Sequence, residues 1–185
     1  MTHIPGIGHN SRQDFDGYTG RLHQWRKARA ALIPNTIPVE VVRMRVRRAA
    51  ALGLDYGTYA GVRATTGRDI VALLFSSNAL GMIRAVELDA ARAAKVAEVA
   101  ATRAALVHRP LAPEAPPPLD WAAAAPPFTE SWSAMRDRLR TLLRDRGLPP
   151  DGVLLIGETA FEASWCVAAR AAGYLPGARY FGGTA

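Results

Sequence analysis

The sequence predicts an α/β protein, mostly helical, with a small parallel strand–helix layer. Two short apolar runs, 70–75 and 153–156, are closed by polar or glycine-bearing turns, and each precedes a helical stretch. That order builds parallel layers. Elsewhere apolar residues recur at three- and four-residue steps, most clearly from Trp132 through Met135 and Leu139 to Leu143, as in helices with one buried face. With 49% apolar residues in 185, the chain has material for a real core.

Residues 1–20 are polar, carry Gly6, Gly8 and Gly17 and lack an apolar period, so a flexible tail is expected there. Residues 21–32 suit a short helix carrying Trp25 and ending before Pro34. Thr36 is a plausible N-cap for the next helix, with Pro38 near its first turn and Glu40 early in it. Val39, Val42, Val46 and Ala49 would form its core stripe, while Arg43, Arg47 and Arg48 project elsewhere. Gly53 permits a sharp turn, and Asp55 caps a second helix running to about Ala64.

Thr65, Thr66 and Gly67 break that helix. The run 69–75 reads as a buried strand, or as a helix beginning near Arg68. Residues 79–107 read as one long alanine-rich helix, and 110–128, with Pro113, Pro116, Pro117, Pro118 and Pro126, as a stiff linker. An amphipathic helix is expected from Thr129, then a turn over 147–152, a strand over 153–156, and a helix over 159–172 holding Trp165 and Cys166. The expected organisation is a tail at 1–20, a basic helical region at 21–109, the linker at 110–128, and a helix–strand–helix region at 129–185 that packs on the basic region or mediates association.

Charge is distributed unevenly. Residues 20–68 hold ten cations against two carboxylates, Glu40 and Asp55, an excess larger than the net +7 of the whole chain. From residue 110 onward, seven arginines face eight carboxylates. Of the 23 cations only Lys27 and Lys95 are lysine, which with abundant alanine and proline suggests a GC-rich genome, but codon bias does not explain the uneven placement. A basic stripe points to a polyanion partner. Both apolar runs fall far short of the roughly 20 residues a membrane span needs. The first ten residues lack a charged start followed by an apolar block, so no secretory signal is expected and the localisation expected is cytoplasmic. Cys166, the one cysteine, excludes an internal disulfide and any multi-cysteine zinc site; no cofactor and no metal are expected.

The stretch Ala49-Ala50-Ala51-Leu52-Gly53-Leu54-Asp55-Tyr56-Gly57-Thr58-Tyr59-Ala60-Gly61-Val62-Arg63 resembles the helix-turn-helix of phage-repressor-type DNA-binding proteins. A small residue at Ala49 lets two helices cross closely, Gly53 takes the turn, Leu52 and Leu54 bury beneath it, and Tyr59 and Val62 pack the second helix on the first. Tyr59 is bulkier than the aliphatic residue usual in that family. The resemblance implies that Tyr56, Gly57, Thr58 and Ala60 face base edges of double-stranded DNA. Arg63 and Arg68, flanked by Arg43, Arg47 and Arg48, would then meet phosphate. A homodimer would be expected if paired half-sites are read. Residues 5–11, Pro5-Gly6-Ile7-Gly8-His9-Asn10-Ser11, resemble a short element near the start of small alphaproteobacterial and phage-related proteins. That resemblance implies a docking peptide for a protein partner within residues 1–11, as in a phage-like or gene-transfer adaptor.

The leading expectation is therefore a non-enzymatic DNA-binding regulatory or accessory protein acting through residues 38–68. The alternative is a small α/β enzyme or ligand-binding module centred on Gly157, Glu158 and Thr159, where a strand, a glycine turn and a helix start coincide. Glu158 could act there as acid or base, or simply complement the helix dipole. Neither GxxxxGK[ST] nor GxGxxG is present. His23 and His108 have no carboxylate at telling spacing, and Cys166 reads as a small buried side chain.

Overall fold

The computed structural model of the protein describes residues 37–182. The expected tail, the Trp25 helix, Thr36, His23 and the 1–11 element lie outside them. Residues 37–42 belong to a unit that runs from residue 1, and they open the first described helix. Residues 43 onward form a second compact unit.

The second unit is an α/β fold built on five parallel strands: β1 (Ala72–Ser76), β2 (Thr102–Val107), β3 (Trp121–Ala124), β4 (Val153–Gly157) and β5 (Gly173–Pro176). Their spatial order is β3-β2-β1-β4-β5. Leu74 lies beside Ala104 of β2 and Leu155 of β4, so β1 is central. All residues of β1 and β4 are buried, because helices cover both faces of the sheet. Such strands read as unbroken apolar runs, which is why 70–75 and 153–156 were legible.

One face packs under residues 43–51 of α1 (Val39–Ala51), α2 (Tyr56–Thr66), α3 (Ala90–Ala97) and α6 (Gly177–Phe181). There Ala49, Leu52, Tyr59, Val96 and Tyr180 meet Leu73, Phe75, Leu154 and Ile156. The other face packs under α4 (Trp132–Asp145) and α5 (Ala160–Ala169), with Met135, Leu139, Leu143 and Trp165 against Leu74, Leu106 and Leu155. The amphipathic pattern from residue 132 is thus realised, with Ser131 as N-cap.

Several expectations are corrected. The long helix over 79–107 does not form: Gly81 turns at φ +74°, only Ala90–Ala97 is helical behind its Asp89 cap, and β2 follows. The expected linker 110–128 carries β3, which pairs with β2 in register Ala104–Trp121. Residues 173–181, beyond the last element expected from the sequence, supply β5 and α6. The 69–75 alternatives resolve to a strand. In α1, Val39 and Val46 stay exposed while Ala49 buries, together with Leu52 just past its end, so the inward stripe differs from the one expected.

Candidate functional site

The α1–turn–α2 hairpin forms much as its residues dictate. Gly53 takes φ +67°, a region costly for any side chain, and a Cβ there would sit 2.9 Å from Tyr180 Oη. Asp55 caps α2, accepting from Thr58 N at 2.8 Å and Thr58 Oγ1 at 2.6 Å; the Thr58 hydroxyl is the chief reason its carboxyl lies below the ordinary range. Leu52, Leu54 and Tyr59 bury beneath the turn.

Several of the side chains expected to meet DNA have partners within the protein. Thr58 is bonded to Asp55 and also receives Arg179 Nη2 at 2.9 Å. Tyr56 and Ala60 are half-buried, and Gly57 is exposed. Arg48 donates to Asp69 Oδ2 at 2.9 Å and to the carbonyls of Ala100 and Ile70, both at 2.8 Å, strapping α1 to the sheet. Arg63 lies 3.9 Å from Asp69, and Arg68 pairs with Asp151 at 2.9 Å. Arg43 and Arg47 are exposed on α1. Asp69, just beyond the basic stretch, is the organiser that sequence reasoning overlooked. Besides Arg48, it accepts from Tyr59 Oη at 2.8 Å and from Ile70 N at 2.9 Å. Burial, reinforced by Asp69, pushes the Tyr59 phenol up.

A second constellation lies at the carboxyl ends of β1, β2 and β4. From β1 and β2 the chain proceeds toward one edge of the sheet and from β4 toward the other, so the connections diverge between β1 and β4. In doubly wound sheets that divergence opens the ligand crevice. β1 ends at Ser76 and leads into Ser77 and Asn78, β2 leads into His108, and β4 ends at Gly157 and leads into Glu158 and Thr159.

These residues converge on Glu162, the third residue of α5. Thr159 and Glu162 form a reciprocal capping box, but the glutamate does more than cap. Its carboxylate is fully buried and accepts from Glu158 N at 2.6 Å, Thr159 N at 3.0 Å and Asn78 Nδ2 at 2.8 Å. His108 Nε2 stands 2.7 Å away, and the Ser76 hydroxyl contributes a further bond. Burial alone would raise this carboxyl, yet His108, the two backbone amides and Ser76 outweigh it and bring it down to about 2. Glu162 is therefore an anion at any ordinary pH, and an ionised carboxylate only accepts.

That fixes its neighbours. Asn78 must present its NH₂ to Glu162, which leaves Oδ1 for other partners. His108 must carry a proton on Nε2, so in the neutral ring Nδ1 is the open acceptor. His108 is held further by Trp165, whose ring centre is 5.2 Å away, and by Ser77, whose Oγ accepts from His108 N at 3.1 Å. The buried Trp165 Nε1 has no hydrogen-bond partner among the described residues. Glu158 is exposed and leans over Gly177, where a Cβ would collide with Glu158 Oε1. Tyr174 Oη reaches the Thr159 carbonyl at 3.3 Å. An open cavity of about 470 Å³, lined by Asp89, Arg92, Gly177 and Phe181, adjoins this rim.

The expected Gly157–Thr159 turn is part of this cluster. The sequence assigns His108 no carboxylate partner, because 54 residues separate it from Glu162; the capping-box spacing from Thr159 to Glu162 is the signal that could have marked the glutamate. Cys166 is half-buried and its thiol is pushed up by burial, as befits an inert side chain. Among the described residues no group of three metal-ligating side chains occurs, and no helix is long and apolar enough to cross a membrane. Compared with protein-family models, with curated proteins and with solved structures, the chain matches none.

Proposed function

We propose that this protein is a small-molecule-binding α/β module whose ligand sits at the carboxyl edge of the sheet, over β1 and β4, with His108 available for acid–base work. The observation that carries this reading is the buried, ionised Glu162 gathering donors from three strand ends. Buried charges with several fixed donors are costly to assemble, and perturbed ionisation in a cleft is a mark of functional sites. His108, oriented by one carboxylate oxygen through Nε2, resembles the base–orienter pairs of hydrolytic and isomerising sites. A fragment library read by thermal denaturation tests this. Stabilising hits should lose their effect in both His108→Ala and Asn78→Ala. Hits that stabilise wild type and both variants equally would reject the reading.

A second reading, duplex-DNA binding through residues 38–68, draws support from the α1–turn–α2 hairpin and from exposed Arg43 and Arg47 one helical turn apart. Against it stand the carboxylate partners of Arg48, Arg63 and Arg68. Mobility shifts across salt concentrations decide it: binding should weaken steeply with salt and fall in an Arg43→Ala, Arg47→Ala double variant.

A further inference from the structure

We infer that Glu162 sets the ligand class of the rim site, by holding an internal carboxylate where a ligand's phosphate would otherwise sit. The inference rests on the small-molecule reading above. In doubly wound folds the backbone amides of the turn and helix start after a central strand receive the ligand's anionic group, and here that turn is Gly157–Thr159, with α5 beginning at Ala160. Here the amides of Glu158 and Thr159 are both bonded to Glu162 Oε2, at 2.6 and 3.0 Å. The other oxygen of the same carboxylate takes Asn78 Nδ2 and His108 Nε2.

The side chains of the cluster with hydrogen-bonding capacity left over are therefore acceptors: the exposed Glu158 carboxylate, Asn78 Oδ1 and, in the neutral ring, His108 Nδ1. The nearest cation in the adjoining cavity, Arg92, is countered by Asp89 at 3.4 Å and lies 5.4 Å over the Phe181 ring. A second anion on the Glu158 and Thr159 amides would displace a buried carboxylate and face the Glu158 side chain. The ligand is accordingly a hydrogen-bond donor, an unphosphorylated hydroxylic or amine-bearing small molecule. Its X–H group is directed at His108 Nδ1. In acid–base use that proton passes to Nδ1, the electron pair stays on the substrate atom, and the imidazolium formed is balanced by Glu162.

The test uses inorganic phosphate and the amide resonances of Glu158 and Thr159. Wild type should show no saturable shift of these two amides. Glu162→Ala, which uncovers both N–H groups, should bind phosphate there at least about tenfold more tightly than wild type. Glu162→Gln, neutral but still covering the amides, should gain far less. Saturable phosphate binding at these amides in wild type overturns the inference, as does equal gain in the Ala and Gln variants. If Glu162→Ala fails to fold, the wild-type titration and the Gln variant decide: a Gln variant that gains tenfold overturns it, and one that stays near wild type supports it. Phosphate binding at the wild-type rim would leave the small-molecule reading standing, whereas ligands indifferent to His108 and Asn78 would remove that reading first.

Discussion

Replacing Glu162 by glutamine removes a charge and little shape, so its effect isolates what ionisation contributes to the fold. Folding moves this carboxyl from an ordinary 4.5 to about 2. That difference is worth about 3 kcal/mol at neutral pH. The sign follows from the direction: a depressed carboxyl stabilises the native state above its unfolded value and loses that contribution as pH falls toward its folded value. The wild-type advantage over Glu162→Gln should be full above about pH 5 and shrink by about 2 kcal/mol between pH 7 and pH 3. All other carboxyls are common to both proteins and cancel in the difference. Urea denaturation of the two proteins at pH 7, 5, 4 and 3 measures it. An advantage that stays constant from pH 7 to pH 3 would refute the account of Glu162 as a buried anion held by its donors.

Other consequences concern the hairpin and its anchor. Arg48→Ala breaks one ion pair and two carbonyl bonds, and should cost about 2 kcal/mol in thermal unfolding while leaving any DNA affinity unchanged. Asp69→Ala strands the Tyr59 hydroxyl and Arg48 together and should cost about 2–3 kcal/mol by the same measurement. Gly53→Ala places a Cβ at φ +67° and 2.9 Å from Tyr180 Oη, so a loss of about 1–2 kcal/mol in urea is expected. Tyr180→Phe removes the bond to the Leu52 carbonyl at 3.1 Å and should cost about 1 kcal/mol.

The sequence revealed those elements whose chemistry is local. Asp55 and Gly53 announce a cap and a turn, Met135, Leu139 and Leu143 announce a buried helical face, and the apolar runs of β1 and β4 announce buried strands. β2 stayed hidden because Thr-Arg-Ala-Ala-Leu-Val continues an alanine-rich stretch, and alanine favours helix over strand until neighbouring strands override it. β3 and β5 are four residues each, one among prolines and one between α5 and α6, too short to show a period. The rim site was half legible. The Gly157–Thr159 turn could be placed, but His108 meets Glu162 only because β2 and β4 both flank β1. The basic stretch reads in the sequence as one cationic surface, and the ion pairs of Arg48 and Arg63 with Asp69 and of Arg68 with Asp151 form only through the fold.

The central claim, that an ionised Glu162 orients His108 and leaves Nδ1 to a ligand, is tested most directly by long-range proton–nitrogen correlation spectra of the His108 ring. The account predicts, for the neutral imidazole, a proton on Nε2 and an unprotonated Nδ1, with this preference weakened in Glu162→Gln. A neutral ring protonated on Nδ1 in the wild-type protein would contradict it.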